Sequence, residues 1–516
     1  LRKSGRHSCK FQFPFNPSSK LLQNSSLALQ LEKHLSFLIA CLIFYKTRNL
    51  RFLCMWKKLI AYILLPIILP GILQAQQVLT LKAAVDTALH NYGSIRARQQ
   101  YARSSQASVE QARRDYLPNI NFGLQQDFGT VNGQNGPLYG FGGLGVASSG
   151  LPLPEQNWNA AFGALYLTNV NWDFFAFGKA KEKINVAKSV AQRDQQDLSQ
   201  ELFQHSVKVA AAYLNLQAAH QLSYSYRKNL DRIDTVRRSV VAKALNGLVA
   251  GVDSSLANAD YANALIAYTR AQDNEQQQAN QLSQLMGITS GEFILDSTFL
   301  TRIPANNTST PAPEQHPLMQ LAKSRITVSE QQRKYLKTLY YPTFSLVGIL
   351  QTRGSGFGSG YAQNQHDFTT AYWPGIKPTR TNYLLGLGVT WNITQPYRLS
   401  QQVRSQEMIS KGLQEEYNLA AQQLDAQRKL ADTKWQNALT IYRQAPAQLK
   451  AAGDAYTQRS VLYQNGLTDL VDLSQSIYAL VRAETDRDIA YNNVWQALLL
   501  KAAAAGDFSI FTSELP

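Results

Sequence analysis

The sequence predicts a mostly α-helical protein that also carries two-faced β-strands and is built as two copies of one unit. Three observations carry this reading. Asn246-Gly247-Leu248, followed by Asp253, recurs as Asn465-Gly466-Leu467, followed by Asp472, 219 residues later. Trp172 and Trp391 each end an alternating, strand-like run and are also 219 residues apart. The 74-residue interval from each tryptophan to its Asn-Gly-Leu is long enough for a helix of about 110 Å. A constant internal spacing of this kind marks a duplication.

The chain has 516 residues, of which 17% are charged and 45% hydrophobic. No stretch holds the roughly 20 unbroken apolar residues of a membrane-spanning helix. A transmembrane β-barrel escapes that test, because its strands alternate. The net charge of +16 is concentrated at one end. Residues 1–75 contain 11 Lys or Arg and a single acid, Glu32. Elsewhere the basic surplus is spread along helices without interleaved aromatics, so nucleic-acid binding is not expected. Cys9, Cys41 and Cys54 all precede Met55, which leaves the rest without a disulfide framework or a cysteine metal site. The 7 histidines form no ligand pair, and no nucleophile stands beside a base. No metal, cofactor or enzymatic activity is expected.

From Met55 the chain reads as a secretory signal: Lys57 and Lys58, an apolar run from Leu59 to Leu73, then Leu-Gln-Ala ending at Ala75. Residues 1–54 are expected to be an upstream extension outside the mature protein, and 55–75 the signal peptide. The first repeat spans 76–290, a linker 291–317 and the second repeat 318–510.

Thr80 is placed to cap a helix whose Leu81, Val85, Ala88 and Leu89 share one face. A second helix runs from Ile95 and stops at Leu117-Pro118, because proline disfavours helix in the residue before it. Ile120, Phe122 and Leu124 then alternate with Asn121, Gly123 and Gln125, giving a strand with an apolar and a polar face. A loop rich in Gly and Pro leads to a second strand, about Phe162–Phe174. A buried hairpin of a soluble sheet and a barrel hairpin facing lipid both fit this alternation. Gly140-Phe141-Gly142-Gly143-Leu144-Gly145 matches GxGxxG but lies between strands and opens no helix, so it offers no phosphate cradle.

A helix then runs to Asn246-Gly247, a pair suited to a tight reversal because both residues tolerate positive φ. A return helix follows from about Asp253 to Met286. The prolines from Pro304 to Pro317 mark the linker. The pattern restarts: a helix to Tyr341-Pro342, a strand with Phe344, Leu346 and Leu350 on one face, a Gly-rich loop, and a strand in which Tyr383, Leu385, Leu387, Val389, Trp391 and Ile393 alternate with small or polar residues. A helix from about Leu399, with a kink expected at Pro446, reaches the second Asn-Gly-Leu. The final helix carries a heptad seam, Leu470, Leu473, Ile477, Leu480, Glu484, Arg487, Tyr491, Val494 and Leu498.

This order resembles the TolC-type outer-membrane efflux proteins. The residues that carry the resemblance are Leu81-Lys82-Ala83-Ala84, the two strand-opening prolines, and the two Asn-Gly-Leu turns with their aspartates. It covers nearly all of residues 76–510. It implies a trimeric tube, twelve transmembrane strands above a long α-barrel, with four strands and four helical passes from each chain. It also implies an outer membrane location extending into the periplasm, and partnership with a periplasmic adaptor and an inner-membrane pump in efflux or type I secretion. By position, Gly247, Leu248, Gly466 and Leu467 would contact the adaptor. Asp253 and Asp472 would face the pore as a gate. Gln475 stands where other members carry a second aspartate, and Thr468 replaces a basic residue. On their own, Asp253 and Asp472 read equally as helix N-caps. Trp172 and Trp391 read as membrane-interface anchors. The alternative function is a soluble periplasmic coiled-coil adaptor or scaffold, which explains the hairpins but not the two-faced strands.

Overall fold

The computed structural model describes residues 78–133, 151–289, 291, 293–296, 299, 302–305 and 312–515. The expected extension, signal peptide and Gly140–Gly145 segment lie outside these residues.

Two short helices open the described chain, α1 (Leu81–Asn91) and α2 (Gly93–Arg114). The Thr80 hydroxyl accepts from the Ala83 amide and caps α1, whose Leu81, Ala84, Val85 and Ala88 are buried. Strands β1 (Asn119–Thr130) and β2 (Ala160–Phe175) follow, then the long hairpin α3 (Lys179–Leu245) and α4 (Gly251–Met286). The order repeats as α5 (Pro317–Thr338), β3 (Thr343–Ser355), the short α6 (Tyr372–Ile376), β4 (Arg380–Thr390), α7 (Gln395–Gln464) and α8 (Leu470–Ala505), with α9 (Ser509–Thr512) last. At 67 and 70 residues, α3 and α7 each extend about 100 Å. Pro446 sits inside α7, which continues on both sides of it.

The four strands form one antiparallel sheet in the order β1-β2-β3-β4. Register sorts the side chains into two faces. Ile120 pairs with Val170, Leu124 with Tyr166, Leu350 with Tyr383 and Leu346 with Leu387, so these residues share one face. That face is exposed: Phe122 71%, Leu385 76% and Leu387 76%. The opposite face carries Asn121, Asn169, Gln351 and Asn382, together with Val347, Ile349 and Leu384. β4 ends at Thr390, short of the Trp391 and Ile393 that the alternation included. There the chain turns at Asn392, whose side chain accepts from the Thr394 amide, and enters α7 three residues later.

The main core lies where the helices of both halves meet. Tyr213, Leu282, Trp435, Trp495 and Leu498 are buried together with α1 and Phe299. Tyr213 donates its hydroxyl to the Leu79 carbonyl at 2.8 Å, and Trp495 donates its indole N–H to the Arg302 carbonyl at 3.1 Å. The Tyr213 hydroxyl also accepts from the Asp296 amide at 3.3 Å, so Tyr213 and Trp495 together hold the segment that links the two halves.

The heptad seam of α8 is buried at Leu470, Leu473, Ile477, Leu480, Val494 and Leu498. Its polar interruption works differently from a Glu484–Arg487 pair. Glu484 receives Arg232 of α3 at 3.0 Å, while Arg487 turns to the buried Asp488, which also accepts from Ser225 of α3. The polar layer therefore joins the two hairpins.

Candidate functional site

The two helical tips share one backbone design. At the first, Gly247 adopts φ +70, its amide donates to Ala244 and that of Leu248 donates to Lys243. At the second, Gly466 adopts φ +72, and the corresponding bonds run to Tyr463 and Leu462. Both are Schellman closures, which require a residue that enters the left-handed region without a Cβ penalty. Only the glycines do so. Asn246 and Asn465 have φ of −92 and −90, contrary to the expectation of positive φ at both positions of the pair. Their side-chain amides instead donate to the Ala242 and Val461 carbonyls at 2.8 Å, which also accept the asparagines' own backbone amides, so each side chain doubles the last helical bond. Leu248 and Leu467 project from the turns, 73% and 72% exposed.

The side chains below the turns differ. Neither Asp253 nor Asp472 is an N-cap, because each stands in the third position of its helix. The first return helix has Ala250 at its cap position, with no side-chain capping bond. The second is capped by Asp469, whose carboxylate accepts from the Asp472 amide at 2.9 Å. The cap-to-third-residue spacing Asp469-Leu470-Val471-Asp472 is the sequence signal for it.

Asp472 is left free for other bonds. It accepts from Arg459 of α7 at 2.7 Å and from the Thr468 hydroxyl at 2.7 Å. The position 219 residues before Arg459 is Val240, which is fully buried against Ala257 and Leu470. The first tip therefore has an apolar contact where the second has an ion pair. Gln475 lies exposed one turn beyond Asp472. Asp253 is half-buried, close enough for its charge to act on Tyr463 of the second hairpin. Burial first, and then Asp253, push the Tyr463 hydroxyl above its ordinary pKa. The Tyr463 ring also receives Lys243 at 5.0 Å. A second tie joins the hairpins higher up, where Asp260 of α4 accepts from Ser474 at 2.7 Å and Tyr478 at 2.8 Å, both on α8. Arg459, Tyr463 and Asp260 were not apparent from sequence spacing, since their contacts cross between helix arms, whereas the local Asp469 cap was legible and was missed.

At the other end of the hairpins the two tryptophans have matching partners. Trp172 donates its indole N–H to the Tyr116 carbonyl at 2.8 Å, and Trp391 donates to the Tyr340 carbonyl at 3.1 Å. Both carbonyls belong to a helix end just before a strand-opening proline. Each indole thus occupies an acceptor left open at that end and holds the elbow between helix and strand.

No helix among the described residues is long and apolar enough to cross a membrane, and the described residues contain no group of side chains that could hold a metal ion.

Residues 84–288 match the family model of the outer membrane efflux protein. No curated protein sequence matches the chain. The fold is shared with solved outer-membrane channels. The Vibrio cholerae outer membrane protein VceC superposes with a TM-score of 0.65 at 16% identity, over 83% of this chain and 96% of that one. The Campylobacter jejuni CmeC channel gives 0.66 at 15% identity, over 83% and 85%. The open state of the Neisseria gonorrhoeae MtrE channel gives 0.65 at 14% identity, over 83% and 89%. Residues 84–288 are thus similar to the outer membrane efflux protein family, and the fold across both halves is that of the solved outer-membrane channels.

Proposed function

We propose that three copies of this chain close into one outer-membrane efflux channel, with the tips at its periplasmic mouth. The observation that supports it best is the sheet. One face exposes large apolar side chains on all four strands, which water does not favour but a lipid bilayer accepts. The sheet also ends in two open edges, β1 and β4. An unpaired strand edge is not tolerated in hydrocarbon, and four strands are too few to close on themselves. Three copies joined edge to edge give a closed barrel of twelve strands. A soluble adaptor or scaffold would leave the apolar face unexplained.

In this reading the helical hairpins continue the barrel through the periplasm, and an adaptor engages the exposed Leu248 and Leu467 beside Gly247 and Gly466. An inner-membrane pump supplies the energy, and the channel provides the conduit. Asp253, Asp472 and Gln475 line the narrow end. Trp172 and Trp391 sit at the periplasmic-side interface of the outer membrane, where their elbow bonds also fix the angle between barrel and helices. Three Asp472–Arg459 pairs would make the constriction less negative than free carboxylates would.

Single-channel recording in planar bilayers tests this. The purified protein should open a conductance, and Asp472→Ala should raise it. A wild type that opens no conductance would contradict the channel. An unchanged conductance in the variant would remove Asp472 from the gate.

A further inference from the structure

The loop between β3 and β4 does not stand clear of the sheet. Its short helix α6 folds back onto the exposed apolar face, at the end away from the helical hairpins. Three contacts fix it there. The Tyr166 hydroxyl of β2 donates to the Ile376 carbonyl at 2.9 Å. The Tyr372 hydroxyl donates to the side-chain carbonyl of Gln126 on β1 at 2.9 Å. The Tyr372 ring meets Phe162 edge-on at 5.2 Å. Two glycines permit the close approach. A Cβ on Gly375 would fall 2.6 Å from the Phe162 Cβ, and one on Gly354 would fall 2.7 Å from the Ile376 carbonyl oxygen. Ile376 is buried by this docking, yet Trp373 remains 75% exposed.

Position and chemistry indicate what covers Trp373. Helix α6 lies over β2 and β3, the middle strands, so joining copies at the outer edges would not bury it. Phe162 and Trp172 are ten residues apart on β2. At ~3.3 Å per residue and a tilt of ~40°, that separation is ~25 Å along the barrel axis, the height of the apolar band of an outer-membrane barrel. If Trp172 marks one interface, α6 marks the other. Tryptophan and tyrosine favour that depth, because one part of each ring system is apolar and the other forms hydrogen bonds.

We propose that α6 is an outer-leaflet anchor, with Tyr372 and Trp373 seated among the lipid headgroups on the outside of the barrel. This rests on the barrel reading above. It adds a lipid-contact site built from a loop, outside the strands themselves.

The three natural cysteines all lie in residues 1–54, so replacing them with serine leaves a background for single labels. Nitroxide labels would be placed singly at Trp373→Cys, Phe122→Cys and Gln125→Cys in the full chain, reconstituted in phosphatidylcholine vesicles. Phe122 pairs with Thr168, between Phe162 and Trp172 on the apolar face. Accessibility to oxygen and to a water-soluble nickel chelate then gives depth. The label at 122 should report hydrocarbon, that at 125 water, and that at 373 the headgroup layer between them. Hydrocarbon at 122 with free water at 373 would overturn the anchor and leave the barrel standing. Water at both 122 and 125 would overturn the barrel itself. If Trp373→Cys does not fold, Lys377→Cys, exposed just past the last residue of α6, reads the same helix, and full water exposure there likewise overturns the anchor.

Discussion

The two helical tips are copies in backbone and different in chemistry. Both end in the same Schellman closure around a left-handed glycine, and both present an exposed leucine. Below the turn the first relies on Val240 packed against Ala257 and Leu470, with no side-chain cap on its return helix. The second is stapled by Asp469 at its cap and by Arg459 and Thr468 on Asp472. A duplication keeps what the turn geometry demands, and the remaining positions have diverged. The first tip is held by burial, which is insensitive to salt. The second is held by charge, which salt and pH address.

Substituting the glycines tests what the tips share. Gly247→Ala and Gly466→Ala should each cost about 1–2 kcal/mol, because a Cβ is strained at positive φ although nothing crowds it at either site. Hydrogen exchange at the neighbouring amides should accelerate by roughly 5–30-fold at both tips. A large effect at only one would mean that the closures are not equivalent.

The caps test what the tips do not share. Asp469→Ala should loosen the second return helix by about 1 kcal/mol, seen as faster exchange over Val471–Leu473. Ala250→Asp should do the reverse at the first, where the backbone (φ −64, ψ 146) already suits a capping residue. No protection gained there would indicate that the first tip is saturated by packing.

The ion pair should matter less for stability. Arg459 and Asp472 are 47% and 42% exposed, so Arg459→Met should cost under about 1 kcal/mol. Its effect should appear in conduction, as a reversal potential shifted towards cations by the unpaired carboxylate. An unchanged reversal potential would place Asp472 away from the ion path.

The smallest effect expected is at the tie between hairpins. Burial first, then the bond to Asp260, push the Tyr478 hydroxyl up to about 12. Its folded value exceeds its unfolded value of about 10. The stabilisation is therefore complete below pH ~10 and lost as pH rises towards 12. Thermal unfolding of wild type and Tyr478→Phe should differ at neutral pH and converge across that window. Parallel curves would show that the tie contributes nothing.

Much of the helix and strand order was legible in the sequence, because each element announces itself within a few residues. Alternation at Ile120, Phe122 and Leu124 revealed a strand, Pro118 and Pro342 set its start, and Asn-Gly-Leu marked each reversal. What escaped depends on contacts between distant segments. The partner of Asp472 lies 13 residues back on the opposite arm, and the partners of the tryptophan indoles lie more than 50 residues away. Helix α6, five residues inside a Gly-rich loop, has no periodicity long enough to read. Asn246 and Asn465 misled for a physical reason: asparagine tolerates positive φ, but here it serves the helix end through its side chain while glycine makes the turn.

A channel of this kind requires that other copies close the sheet. Electron microscopy of the detergent-purified protein tests that most directly. A threefold tube ~130 Å long is expected, from a helical span of ~105 Å and a barrel of ~25 Å. Single chains with an open sheet, or particles that stay dispersed without detergent, would contradict it.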